Sequence, residues 1–151
     1  HCGGVRKVIS VYSDGASGNR NGKPGGYGWV IVRDGRPVLA GYGGETATSN
    51  QRQELTGAIM GLEACVRNKL HTDERVELVS DSEYVLNLAN GRFNAHANVD
   101  LVTRLLLVAR SISGLKTRWV KGHSGDTWNE RCDSLAGKGK AEAVERAKNG
   151  T

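Results

Sequence analysis

The chain has 151 residues, 38% hydrophobic and 25% charged, which fits one soluble globular domain with a single core and excludes a disordered or fibrous chain. Twenty-one Lys and Arg against sixteen Asp and Glu leave a net charge of +5, which favours a polyanionic partner. No apolar run approaches the roughly 20 residues of a membrane helix and no signal-peptide pattern opens the chain, so no membrane association is expected.

Residues 8–13 alternate apolar and polar and predict a first strand. Residues 27–33 and 37–41 predict two more, joined by Asp34-Gly35, a strong two-residue hairpin signal. Residues 50–69 form an amphipathic helix with Leu55, Ala58, Ile59, Leu62, Cys65 and Val66 at helical spacing. Asn50 with Gln53 three residues on resembles a capping box, so Asn50 is a candidate N-cap. A strand over 76–80 leads into a short helix over 82–89, and 90–98 is a polar loop. A helix over 99–112, a strand over 116–120 and a helix over 127–148 follow, the last with Lys/Glu/Ala-rich turns expected to fray.

Strands and helices in the order β-β-β-α-β-α-α-β-α argue for a mixed sheet with helices on its faces. The domain is expected to span residues 5–148, with 1–4 as a disordered or appended terminus. Of the three cysteines, Cys2 is unplaced, while Cys65 and Cys132 fall on apolar faces. No metal-ligand spacing links them, so they are expected as buried small hydrophobes in a reducing, cytoplasmic compartment.

Four acids stand out against this basic background. Asp14 follows the first strand, Glu54 lies one turn into its helix, Asp81 ends the fourth strand, and Asp133 lies on the last helix. If the first and fourth strands run parallel and adjacent, Asp14 and Asp81 meet at one end of the sheet, where open α/β sheets place their sites. Converged carboxylates repel unless cations neutralise them, and hard divalent cations prefer oxygen ligands. Each acid also has a structural rival. Asp14 suits a turn, Glu54 a helix N-terminus, Asp81 an N-cap, and Asp133 a solvated face.

The runs around these acids resemble those of the type 1 ribonuclease H family, which cuts the RNA strand of RNA–DNA hybrids. The matching runs begin with Tyr12-Ser13-Asp14-Gly15, Pro24-Gly25-Gly26-Tyr27-Gly28 and Ser49-Asn50-Gln51-Arg52-Gln53-Glu54-Leu55. Ser80-Asp81-Ser82-Glu83-Tyr84-Val85, Trp119-Val120-Lys121-Gly122-His123-Ser124-Gly125 and Asn129-Glu130-Arg131-Cys132-Asp133-Ser134-Leu135-Ala136 complete the set, in family order.

The resemblance implies a five-stranded mixed sheet with helices on both faces. It implies an endonuclease working with two Mg²⁺ ions roughly 3.5–4 Å apart, with Mn²⁺ able to substitute, leaving 5′-phosphate and 3′-hydroxyl ends. Asp14, Glu54, Asp81 and Asp133 are then the metal-binding carboxylates, and His123 the loop histidine that assists proton transfer or product release. Gly15, Ala16, Ser49, Asn50, Gln51 and Glu83 are implied to line the hybrid's minor groove. Asn19 and Asn21 compete for one further contact, because their loop is about one residue longer than usual. The partner is the RNA–DNA hybrid, met by a monomer.

The sequence departs from the family where many members carry a basic Lys/Trp-rich protrusion. Here Ala89 to Asp100 has one Arg, no Lys and no Trp. Arg20, Lys23, Arg92 and Lys121 are the expected substitutes for phosphate contact, with Lys138, Lys140 and Lys148 as the rival set. Three other readings stay open: a domain of a larger reverse transcriptase, a resolvase or exonuclease of the same superfamily, and a non-catalytic hybrid-binding module. The second is a poorer fit because the Gly122-His123 loop and Asp133 helix match ribonuclease H. The last is opposed by the intact acids.

Overall fold

The computed structural model describes residues 7–18, 21–92 and 96–150. In chain order they form β1 (Val8–Ser17), β2 (Lys23–Arg33), β3 (Arg36–Thr48), α1 (Asn50–Arg67), β4 (Arg75–Ser80), α2 (Glu83–Ala89), α3 (Val99–Arg110), β5 (Lys116–Trp119) and α4 (Thr127–Lys148). This is the expected order. The first three strands make an antiparallel meander. Its second turn is Asp34-Gly35, with φ of 52° and 73°; two positive angles in succession match the right-handed twist of the flanking strands. β4 and β5 add in parallel, giving the sheet order β3-β2-β1-β4-β5.

Strand alternation divides the core between two faces. Ile9 and Val11 of β1 pack with Leu55, Ile59 and Leu62 of α1 and Leu105 of α3. Tyr12, Val30, Val32 and Val79 turn the other way and meet Cys132 and Leu135 of α4. Each fully buried Leu or Ile contributes about 1.5–3 kcal/mol. Cys65 and Cys132 are buried free thiols, as expected; Cys2 lies outside the described residues.

The sheet is longer than the periodicity indicated. β1 runs on to Ser17, β2 starts at Lys23 and β3 reaches Thr48. Glycine weakens a strand locally, but here aromatic rings cover the gaps. A Cβ on Gly41 would sit 2.5 Å from the Trp29 ring, and one on Gly43 would overlap the Tyr27 ring. These rings fill the space that missing side chains leave on the neighbouring strand.

α4 also holds its full length instead of fraying. Arg146 donates to the Gly44 carbonyl at 2.8 Å, Tyr42 donates to Glu142 at 2.7 Å, and Ala143 is fully buried. The helix lies unusually close to the sheet because glycines face it. A Cβ on Gly28 would come within 2.6 Å of the Cys132 carbonyl oxygen, and one on Gly26 would overlap the backbone at Ala136 and Lys140.

Candidate active site

β1 and β4 pair Tyr12 with Val79, and both side chains face α4. Two residues farther along each strand, the period-2 alternation returns the same face and supplies Asp14 and Asp81. Asp14 does not end its strand, as expected from sequence; it sits within β1 opposite Gly28. Continued pairing with the β2 glycines carries β1 past it. Asp14 is therefore on the central strand, and only 7% exposed.

Glu54 comes from the other face. Gly15 points toward α1, where a Cβ would stand 2.5 Å from the Glu54 nitrogen. That backbone contact lets the first turns of α1 close on β1 and swing Glu54 to the strand. One carboxylate oxygen each from Asp14, Glu54 and Asp81 then lie within 4.8 Å of one another. Asp133, half-buried on α4, stands outside this triple but close enough for its charge to act on both Asp14 and Asp81.

Burial first, then the charge of Asp81, pushes the Asp14 carboxyl up to about 8, against the Gly15 N–H that donates to it at 2.9 Å. Glu54 is raised mainly by burial and also by Asp81, and lowered by the Ser82 hydroxyl and the Asn50 amide. Asp81 is raised by burial; the Asn129 amide and His123 oppose this, and Asp133 adds to it. Burial disfavours the charged form of all three carboxyls and their mutual repulsion adds to it, a cost that a hard divalent cation relieves. These residues fit such an ion.

Most of the structural rivals are taken by neighbours. Ser49, not Asn50, caps α1, its hydroxyl accepting from the Arg52 N–H at 3.2 Å. The extended backbone of Ser49 places its oxygen over the open turn, and Asn50 is left to donate to Glu54 at 3.0 Å. Ser82, not Asp81, caps α2 through the Val85 N–H. Glu54 lies beyond the first turn of α1, which holds no acid, so the helix dipole does not explain it.

His123 is exposed and adopts φ of 55° in the turn after β5. Its loop passes over the cluster: a Cβ on Gly122 would be 2.8 Å from an Asp81 carboxylate oxygen. An auxiliary proton-handling group in this position predicts that His123→Ala slows turnover about 10- to 100-fold without abolishing it. A single-turnover assay finding His123→Ala as inactive as Asp14→Asn would remove that role.

Of the minor-groove candidates, Gly15 and Asn50 donate to the acids Asp14 and Glu54. Gly15 and Ala16 are half-buried in β1, Ser49 is half-buried at the α1 cap, and Asn21, Asn50, Gln51 and Glu83 are exposed. Asn19 and Arg20 lie outside the described residues, so the choice between Asn19 and Asn21 rests where the sequence left it. Lys138 sits over the Tyr42 ring at 4.9 Å and Lys148 lies 3.8 Å from Glu145.

Two residues went unnoticed in the sequence. Trp119 donates its indole N–H to the Asp81 carbonyl at 3.0 Å. Asn129, 3% exposed, lies one turn before Asp133; its Nδ2 reaches no acceptor in hydrogen-bonding geometry, yet favours ionised Asp81. Both belong to runs that carried the resemblance, but nothing in local periodicity marks either for contact with Asp81.

The RNase H family model matches residues 6–141. The chain belongs to the ribonuclease H family. Curated ribonucleases H agree along almost the whole length. That of Saccharopolyspora erythraea is 37% identical over 148 residues, 92% of this chain and 94% of the relative. That of Polaromonas sp. is 41% identical over 153 residues, 91% of each. Among solved structures, RNase H1 from Halobacterium salinarum superposes with a TM-score of 0.75 at 25% identity, covering 89% of this chain and 98% of that one. The N-terminal RNase H domain of a Mycobacterium tuberculosis protein gives 0.81 at 21% identity, covering 93% and 99%. LC11-RNase H1, solved in complex with an RNA/DNA hybrid, gives 0.77 at 20% identity, covering 90% and 99%. The ribonuclease H fold expected from sequence is thus the fold observed, and the protein is a ribonuclease H enzyme.

Proposed function

We propose that this ribonuclease H is an endonuclease that cuts the RNA strand of RNA–DNA hybrids with two divalent metal ions, leaving 5′-phosphate and 3′-hydroxyl ends. The observation that carries the reading is the convergence of Asp14, Glu54 and Asp81 within 4.8 Å, with Asp133 beside them. Bound Mg²⁺, or Mn²⁺ in its place, supplies the positive charge that neutralises the acids, acidifies water and stabilises the departing 3′ oxygen.

The chain's own groups do the rest. Asp14, Glu54, Asp81 and Asp133 hold the ions. Asp14 anchors the set because the central strand fixes it most firmly. His123, on its exposed turn, handles a proton near Asp81. Asn50 and Gln51 offer both donors and acceptors, as a 2′-hydroxyl and minor-groove base edges require. Gly15, Ala16, Ser49 and Glu83 complete the groove-facing set, with Asn19 or Asn21 as one further contact. We take the active species to be a monomer. Among the described residues no helix is long and apolar enough to cross a membrane, and the partner is the hybrid itself.

Incubation with an end-labelled hybrid and Mg²⁺ is expected to give several internal RNA cuts while the DNA strand stays whole and duplex DNA is untouched. End-by-end shortening of the RNA, or cutting of duplex DNA at a similar rate, would refute the proposal. A hybrid bound but left intact would favour the non-catalytic module.

A further inference from the structure

β5 is the free edge strand of the sheet beyond β4. On one face it sends Arg118 to Tyr12 and Glu77. Alternation turns Thr117 and Trp119 to the other face, where they line a groove of about 290 Å³ against Glu83, Asn87, Asn90 and Arg92 of α2 and its exit. The groove begins beside the acid cluster, since the Trp119 indole bonds the Asp81 carbonyl at 3.0 Å. It ends about 10 Å away, past the seven residues of α2.

Three features suit this groove to a polynucleotide strand. Trp119 is 51% exposed and the one aromatic among the exposed large hydrophobics of the described residues. Its ring is pinned by the bond to Asp81, so a base or sugar can stack on it without first ordering it. Asn90 donates to Thr117 at 2.8 Å, which closes the far rim. Beyond that rim Arg92 forms no salt bridge with a described residue. The lining therefore runs from the acids, through an indole and neutral amides, to a guanidinium.

We propose that this groove binds the RNA strand where it continues from the acid cluster, with Trp119 as stacking platform and Arg92 as phosphate contact. It takes the place of the absent basic protrusion as a second anchor. The proposal rests on the hybrid-nuclease reading above. RNA is the committed occupant because the groove opens from Asp81, where the cleaved strand lies in that reading.

Hybrid binding by anisotropy, in an Asp14→Asn background that spares the substrate, tests it. Trp119→Leu is expected to weaken binding about fivefold or more. Arg92→Ala should weaken it too and make the salt slope shallower by about one. Trp119→Phe, which keeps a flat ring but loses the N–H, should retain most of the affinity. Both losses should disappear when the RNA strand is cut back to the cleavage position on one side, and persist when only the DNA is shortened.

Unchanged affinity in Trp119→Leu and Arg92→Ala would overturn the proposal while leaving the nuclease reading intact. So would losses that follow the DNA strand. If Trp119→Phe fell as far as Trp119→Leu, and calorimetry in the wild-type background showed weaker Mg²⁺ binding for both, the indole would be a prop for Asp81 instead. A parent protein that bound no hybrid at all would remove the nuclease reading, and the groove assignment with it.

Discussion

Asp14→Asn is expected to cut turnover by about 10³-fold or more while leaving hybrid affinity nearly intact and raising the stability of the metal-free protein. The amide keeps the shape of the side chain and its acceptor for the Gly15 N–H, but it removes the charge that holds cations. The gain in stability follows from the raised carboxyl. Asp14 titrates near 3.8 in a free chain and near 8 in the fold. Below 3.8 both states are protonated and there is no penalty. As pH climbs toward 8 the unfolded chain releases its proton while the fold retains one, so stability falls across that window.

Asparagine abolishes this cost. We expect the melting temperature in EDTA at pH 8 to rise by roughly 5–10 °C, from about 2–3 kcal/mol in a domain of this size. The wild-type melting curve should slope downward between pH 4 and 8, and the variant's should be flatter. Mg²⁺ should stabilise the wild type far more than the variant. A metal-free Asp14→Asn that melts well below wild type would show that the carboxylate has a structural partner and would contradict the reading of a strained acid cluster.

The two glycines near the middle of α4 are expected to respond with opposite signs. Gly139 faces the sheet, and a Cβ there would overlap the Gly43 carbonyl oxygen and approach the Gly43 carbonyl carbon to 2.8 Å. Both contacts are backbone, so no rotamer change relieves them. Gly139→Ala should cost about 2–4 kcal/mol and lower the melting temperature by roughly 5–15 °C. Because the same helix carries Asp133, kcat should fall more than hybrid affinity.

Gly137 is exposed and sits in a helix interior, with nothing within 4 Å of the place an alanine methyl would take. Gly137→Ala should stabilise by about 0.5–1 kcal/mol with activity unchanged. Thermal melts of the pair decide the matter. Equal effects of one sign would mean that α4 does not ride on the sheet at Gly43.

Much of this was legible in the chain because it is encoded locally. The period-2 runs, the 3.6-period helices and the Asp34-Gly35 turn each depend on neighbours in sequence. So the order of elements and the apolar stripe of α1 could be read without coordinates. The four acids could be picked out as well, since each lies within a distinctive short run. Their runs were specific enough to resemble a family.

Tertiary structure decided what depends on residues far apart in the chain. Strands β1 to β3 outrun their periodicity because the Tyr27 and Trp29 rings cover glycines on β3, a cross-strand effect. Ser49 and Ser82 became the caps that Asn50 and Asp81 equally suited, because backbone angles at helix entry choose between adjacent candidates. The proton held by Asp14 and the indole bond to Asp81 arise only once β1, β4, β5, α1 and α4 meet. Burial and electric field are sums over everything nearby in space, and no run of sequence contains that sum.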